Sequence, residues 1–165
     1  MAPRKTVTRR NKRKGGTRKQ RGSNSMNKKY SSSTLYSNST KSVIVRTFLE
    51  MLNIVKLYHW RTKSYAQHKA TDELYANLNE HIDSFVEVLL GKDQSRVTMM
   101  EDKCRKFNEA KTTHDIESRM NKYKRFLIDE LGNIFSNKAD TDLLNIRDEI
   151  LGDINQFLYL LSLNK

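Results

Sequence analysis

After Pro3 the chain contains no further proline, and from Lys41 onward its apolar residues recur at spacings of three and four. No other feature limits the fold as strongly. A period of 3.6 gathers such residues on one side of a helix, and no proline ring interrupts it. Ile44, Phe48, Met51, Val55 and Tyr58 mark a first helix over about 41–62. Leu74, Leu78, Ile82, Phe85 and Leu89 mark a second over about 65–90. Ser64-x-x-Gln67 reads as a capping box at its start and Gly91 as its stop. Ile116, Met120, Tyr123, Leu127, Leu131 and Ile134 predict a third helix over about 114–136. Leu143, Ile146, Ile150, Ile154, Phe157 and Leu161 predict a fourth over about 141–163, with Asp140 as its N-cap. Between the second and third lies a long polar stretch, 91–112, with room for a short helix around 97–108.

Two helices, a long connection and two more helices is the ferritin-like form of four-helix bundle. The expected fold is therefore all-α, with a long crossover between helices 2 and 3. Charge divides the chain before that bundle begins. Residues 1–29 hold twelve Lys and Arg and no acid, and the first acidic residue is Glu50. Residues 30–165 hold nineteen cations and nineteen carboxylates, so the net charge of +12 belongs to the N-terminal segment. That segment predicts a disordered basic arm, followed by the polar linker YSSSTLYSNST. Neither has enough apolar surface to offset the entropy of ordering. The expected organisation is thus arm and linker over 1–40 and bundle over 41–165.

The second helix also carries a polar stripe of a particular kind. His68 and Asp72 are four residues apart, as are Asp83 and Glu87. The eleven residues from Asp72 to Asp83 make about three turns, so both pairs share a face. They are about 16 Å apart along the axis, too far to close on one metal ion. Two antiparallel copies solve this. His68 and Glu87, like Asp72 and Asp83, lie equally far from a midpoint between Asn77 and Leu78. A two-fold axis there sets His68 opposite the other copy's Glu87, and Asp72 opposite its Asp83. Ala76 and Asn79, at the crossing, are small enough for close approach. An isologous contact of this kind makes two identical sites per dimer. His59, on the first helix, reaches in from the side. Each site then offers two imidazoles and three carboxylates, a donor set that suits iron, manganese or zinc better than a thiolate metal. The plainer alternative is a solvated helix face, the usual fate of polar residues at this spacing.

Other features bound the function. Cys104 is the only cysteine, which rules out an intrachain disulfide and fits a reducing compartment. The longest apolar run, FLYLLSL at 157–163, is too short to span a membrane. The N-terminal segment lacks the apolar core of a secretory signal, and its few apolar residues (Met1, Ala2, Val7, Met26) do not make the amphipathic helix of a transit peptide. Arg4, Lys5, Arg9, Arg10, Lys12, Arg13, Lys14, Arg18, Lys19 and Arg21 are candidate phosphate contacts. They imply sequence-independent, salt-sensitive binding to DNA, because no groove-reading motif accompanies them. A nuclear localisation signal or another anionic partner is the alternative use of the same charge. His81 lies about 100° around the helix from His68–Asp72 and His114 near a helix start; neither is expected to hold metal. Trp60 is expected to pack beside the site.

The run His59-Trp60, His68-x-x-x-Asp72, ten residues, Asp83-x-x-x-Glu87 resembles the inter-subunit ferroxidase pattern of the Dps family, ferritin-like miniature shells that oxidise iron and shield DNA. The match covers about thirty residues directly, and the four-helix layout extends it over roughly 41–163. It departs from the family in the loop RTKSYAQ, which is shorter and lacks the family's glycine, and at Val88, where the family often has arginine. The resemblance implies that His59, His68 and Asp72 come from one subunit and Asp83 and Glu87 from its neighbour. All five would then be metal ligands and catalytic residues of a ferroxidase, in a shell of twelve subunits. The lysine-, asparagine- and serine-rich composition is also similar to that of Dps-like proteins of large eukaryotic DNA viruses. Ferritin proper is excluded, since no histidine here has a glutamate three positions before it; Lys56, Tyr65, Leu78 and Lys111 stand there.

The resulting expectation is an iron-oxidising, iron-storing protein that associates with DNA through its arm and protects it from oxidative damage. Its location would be intracellular and DNA-associated (nucleoid, nucleus, viral factory or virion). The alternative is a non-enzymatic nucleoprotein-packaging or virion component with a vestigial or structural metal site.

Overall fold

The computed structural model describes residues 1–3, 35–98 and 109–163. The ten arm cations from Arg4 to Arg21, most of the linker and most of the short helix expected around 97–108 lie outside the described residues. Val97 and Thr98 are not helical. Four helices and no strand occur among the described residues, so the fold is an all-α bundle. Helix α1 is Asn38–Arg61 and α2 is Tyr65–Gly91. Helix α3 begins at Thr113–Arg125, passes through a π-helical turn at Phe126–Glu130 and ends in the α-turn Leu131–Ile134. Helix α4 is Thr141–Ser162. All four fall in the unit Ser32–Lys165.

Caps explain most of these boundaries. The Ser37 hydroxyl accepts from Thr40 N at 3.0 Å, which starts α1 three residues earlier than its apolar stripe indicates. Thr112 and Asp115 form a reciprocal capping box on α3. Two expected caps differ. Ser64 accepts from Gln67 N, but the Gln67 side chain does not reach back; it bonds to Tyr58, Thr62 and Thr113 instead. Asp140 stands at the N-cap position of α4 without capping it, because its carboxylate accepts from Ser136 N and pairs with Lys92.

The helix ends give the topology. Lys41, at the start of α1, bonds Asp93 and Ser95 just beyond the end of α2. Lys92 pairs with Asp140 and Asp142 at the start of α4. Phe135, after α3, meets Phe85 near the end of α2. At the opposite end, Tyr58 of α1, Gln67 of α2 and Thr113 of α3 share hydrogen bonds. The helices therefore run up, down, down, up, and the connection from Lys92 to Thr112 joins opposite ends of the bundle. Helix α2 packs most extensively against α4 and next against α1, while α3 closes the ring against α4 and α1.

Of the residues expected inside, all are buried except Ile134 and Ile146, which are half-buried. Phe48 stands edge-on to both Phe85 and Phe126, with centroids 5.1 and 6.1 Å away. Each such fully buried side chain contributes about 1.5–3 kcal/mol relative to exposure. The π-turn departs locally from the 3.6-residue repeat of α3. Its wider loop, closed by Leu131 N donating to Phe126 O, keeps Phe126, Leu127 and Leu131 inside and turns Ile128 out.

Candidate metal centre

The turn between α1 and α2 is only Thr62–Ser64, and Ser64 N donates to the Thr62 hydroxyl at 3.2 Å. So short a turn sets the last turn of α1 beside the first turn of α2. His59 and His68 consequently stack, with ring centroids 3.9 Å apart and planes 24° from parallel. The pair is also hydrogen-bonded reciprocally. His59 Nδ1 lies 3.1 Å from the His68 carbonyl oxygen, and His68 Nδ1 lies 3.1 Å from the His59 carbonyl oxygen.

A carbonyl oxygen only accepts, so each Nδ1 carries the hydrogen. In the neutral ring the lone pair then sits on Nε2, which leaves that nitrogen able to ligate a metal. Thr71 reinforces the arrangement. Its hydroxyl lies 3.3 Å from His59 Nδ1 and donates back to the carbonyls of Gln67 and His68. Thr71 was not among the sequence candidates. The signal was available: a threonine three and four residues after two helical carbonyls commonly bonds back to them.

Asp72 lies beside the His59 imidazole. Its Oδ1 lies 3.9 Å from His59 Nε2, and its side chain is 56% exposed where that of His59 is 8% exposed. Within one copy of the chain, His59 and His68 therefore stack on each other and Asp72 lies near His59 alone. Asp83 and Glu87 do not join them. They lie farther along α2, exposed, on a run of exposed positions that also includes Ala76 and Asn79. Among the described residues, no group of three or more His, Cys, Asp or Glu side chains is placed to hold a metal within one copy.

The remaining candidates fall elsewhere. His81 Nδ1 lies 2.7 Å from Asp153 Oδ2, and Asn77 donates to the same carboxylate at 3.2 Å, so His81 ties α2 to α4. His114 is exposed at the start of α3. Trp60 is 69% exposed rather than packed beside the histidines. The Lys56 ammonium lies 5.8 Å from its ring and 4.6 Å from that of Tyr75.

A family model, described as a family of unknown function (DUF5856), matches residues 59–161. The matched span begins at His59, takes in all five candidate ligands and leaves out the basic segment. No curated protein and no solved structure matches the chain.

Proposed function

We propose that this chain, which belongs to the family of unknown function DUF5856, is a ferritin-like, Dps-like protein that oxidises and stores iron and associates with DNA. The observation that carries the reading is the reciprocal His59–His68 pair. Each imidazole spends its Nδ1 hydrogen on a main-chain carbonyl and leaves Nε2 available, that of His59 lying 3.9 Å from Asp72 Oδ1. Metal-binding histidines are typically oriented through the second ring nitrogen in this way. The up, down, down, up order with its long connection supports the ferritin-like assignment.

In this reading Fe(II) is the substrate. His59, His68 and Asp72 of one copy hold it together with Asp83 and Glu87 of a second copy packed antiparallel along α2. The three carboxylates favour the harder ferric product, and peroxide or oxygen accepts the electrons. Two-fold dimers would assemble into a closed shell that keeps the mineral inside. The basic arm neutralises DNA phosphates, so local Fe(II) and peroxide fall where DNA is held.

Asp83→Ala or Glu87→Ala is expected to slow Fe(II) oxidation about tenfold or more, since losing even an outer-shell partner of a metal site typically costs that much. DNA binding by gel shift should not change. Oxidation at the native rate in both variants sinks the ferroxidase reading and leaves a packaging role without catalysis. Deleting residues 1–29 should have the opposite effect. Iron oxidation should persist, while DNA affinity, which in the full chain falls with a log–log salt slope of about 0.9 per neutralised phosphate, collapses. A truncated protein that binds DNA as tightly as the full chain would assign the arm to another partner.

A further inference from the structure

A separate feature lies where α1 turns into α2 and α3 begins. A cleft of about 480 Å³ is lined there by Tyr58, Arg61, Lys63, Gln67, Lys111 and Thr113, with further hydroxyls from the turn and from Thr112. Among the described residues its wall holds three cations and no carboxylate. Lys63 and Lys111 are exposed and have no acidic partner among the described residues. The nearby carboxylates are committed elsewhere: Glu109 pairs with Arg61 at 2.8 Å, and Asp115 accepts from the main-chain nitrogens of Lys111 and Thr112.

The cleft is also lined by a buried amide that uses only one of its two N–H hydrogens. Gln67 is 9% exposed, and its Oε1 accepts from both Tyr58 and Thr62 at 2.8 Å. Its Nε2 gives one hydrogen to the Thr113 hydroxyl at 3.1 Å. A primary amide has two N–H donors, and the second has no acceptor among the described residues. The N-termini of α2 and α3 add partial positive charge at the same end. Two ammonium groups without counter-charges among the described residues, a spare amide hydrogen and a ring of hydroxyls call for a compact dianion with acceptors in several directions. The volume leaves space for an organic group attached to it.

We propose that this cleft binds a phosphate oxyanion, either inorganic phosphate or the phosphate of a small monoester. The site is independent of the metal chemistry above and uses none of its ligands. The test is calorimetric titration of the full-length protein with inorganic phosphate, and separately with glycerol phosphate, at constant ionic strength. The native protein should bind with one site per chain, and the tighter of the two ligands identifies the source. Lys63→Gln/Lys111→Gln should raise Kd about tenfold or more, whereas Lys122→Gln/Lys138→Gln, the same loss of charge on exposed positions elsewhere, should leave it unchanged. No binding of either ligand, a cleft variant that binds like the native protein, or equal losses in both variants would overturn the proposal. A readout without substitution is available should the cleft variant misfold. Phosphate should protect Lys63 and Lys111 of the native protein from amine acylation but not Lys122 and Lys138, and absence of that protection counts equally against the site.

Discussion

Two variants, each inactive by itself, should regain Fe(II) oxidation when co-assembled: His68→Ala/Asp72→Ala and Asp83→Ala/Glu87→Ala. The expectation follows from where the structure puts the ligands. Within one copy His59 stacks on His68 and lies near Asp72, while Asp83 and Glu87 lie exposed farther along α2. If two copies complete each other about a two-fold, the hybrid dimer has one site lacking all four of these side chains and one site that is whole. Random co-assembly makes half of the dimers hybrid, each with one of two sites intact, so activity should reach about a quarter of native. Stopped-flow oxidation of co-refolded mixtures, with hybrids verified by differential tagging, gives the number. Hybrids that form and stay inactive would show that the site is not shared between subunits.

The second large effect is on stability. Lys41→Met should destabilise the fold by about 3–5 kcal/mol, because it strands a buried carboxylate without its cation. Lys41 is fully buried at the start of α1, and its ammonium bonds Asp93 and Ser95. Asp93 also accepts from Leu35 N and Ser95 N, which makes it the anchor for the residues on either side. The hydrogen bond from Lys41, helped by Ser95, lowers the Asp93 pKa from 3.8 to about 2. A depressed carboxylate pKa contributes stability that is present above the unfolded value and lost as pH falls through the folded one. The native contribution should therefore hold down to about pH 4 and disappear towards pH 2. In Lys41→Met the stranded carboxylate prefers its proton, so the gap between native and variant should narrow over the same range. Urea unfolding at fixed protein concentration from pH 7 to 2.5 measures both. A gap that is small at pH 7, or that widens on acidification, contradicts this account. Lys41→Met/Asp93→Asn should recover much of the loss.

This anchor also shows what a linear reading misses. A lysine at a helix start looks like a solvated cation; only the return of the chain after α2 buries it. The repeating features were readable because they are local. The four apolar stripes located the helices to within a few residues, and the stop of α2 near Gly91 came from turn chemistry. Errors arose where a side chain had a choice of partners. Asp140 could cap α4, but Lys92 and Ser136 N claim its carboxylate. Gln67 could complete a box with Ser64, but Tyr58, Thr62 and Thr113 claim it. Ile134 missed full burial at the very end of α3, where the next residue, Phe135, takes the buried position. The candidate ligands could be read from spacing, but the exchange of hydrogen bonds between His59 and His68 could not. It depends on the angle at which the three-residue turn brings α2 back.

The packing of α2 against the last helix has a consequence for the order in which the molecule is made. The inner face of α2 is covered chiefly by α4, and Asn77 and His81 are fastened to Asp153. A ribosome must therefore release the chain through α4 before the helix bearing His68, Asp72, Asp83 and Glu87 has its main support. Contacts so far apart in sequence also close late in folding, after local ones have formed. The α1–α2 hairpin can bring the two histidines together earlier, but α2 lacks its main packing partner until α4 has been made. A nascent chain, or one truncated before α4, would then lack a firm platform for these four side chains.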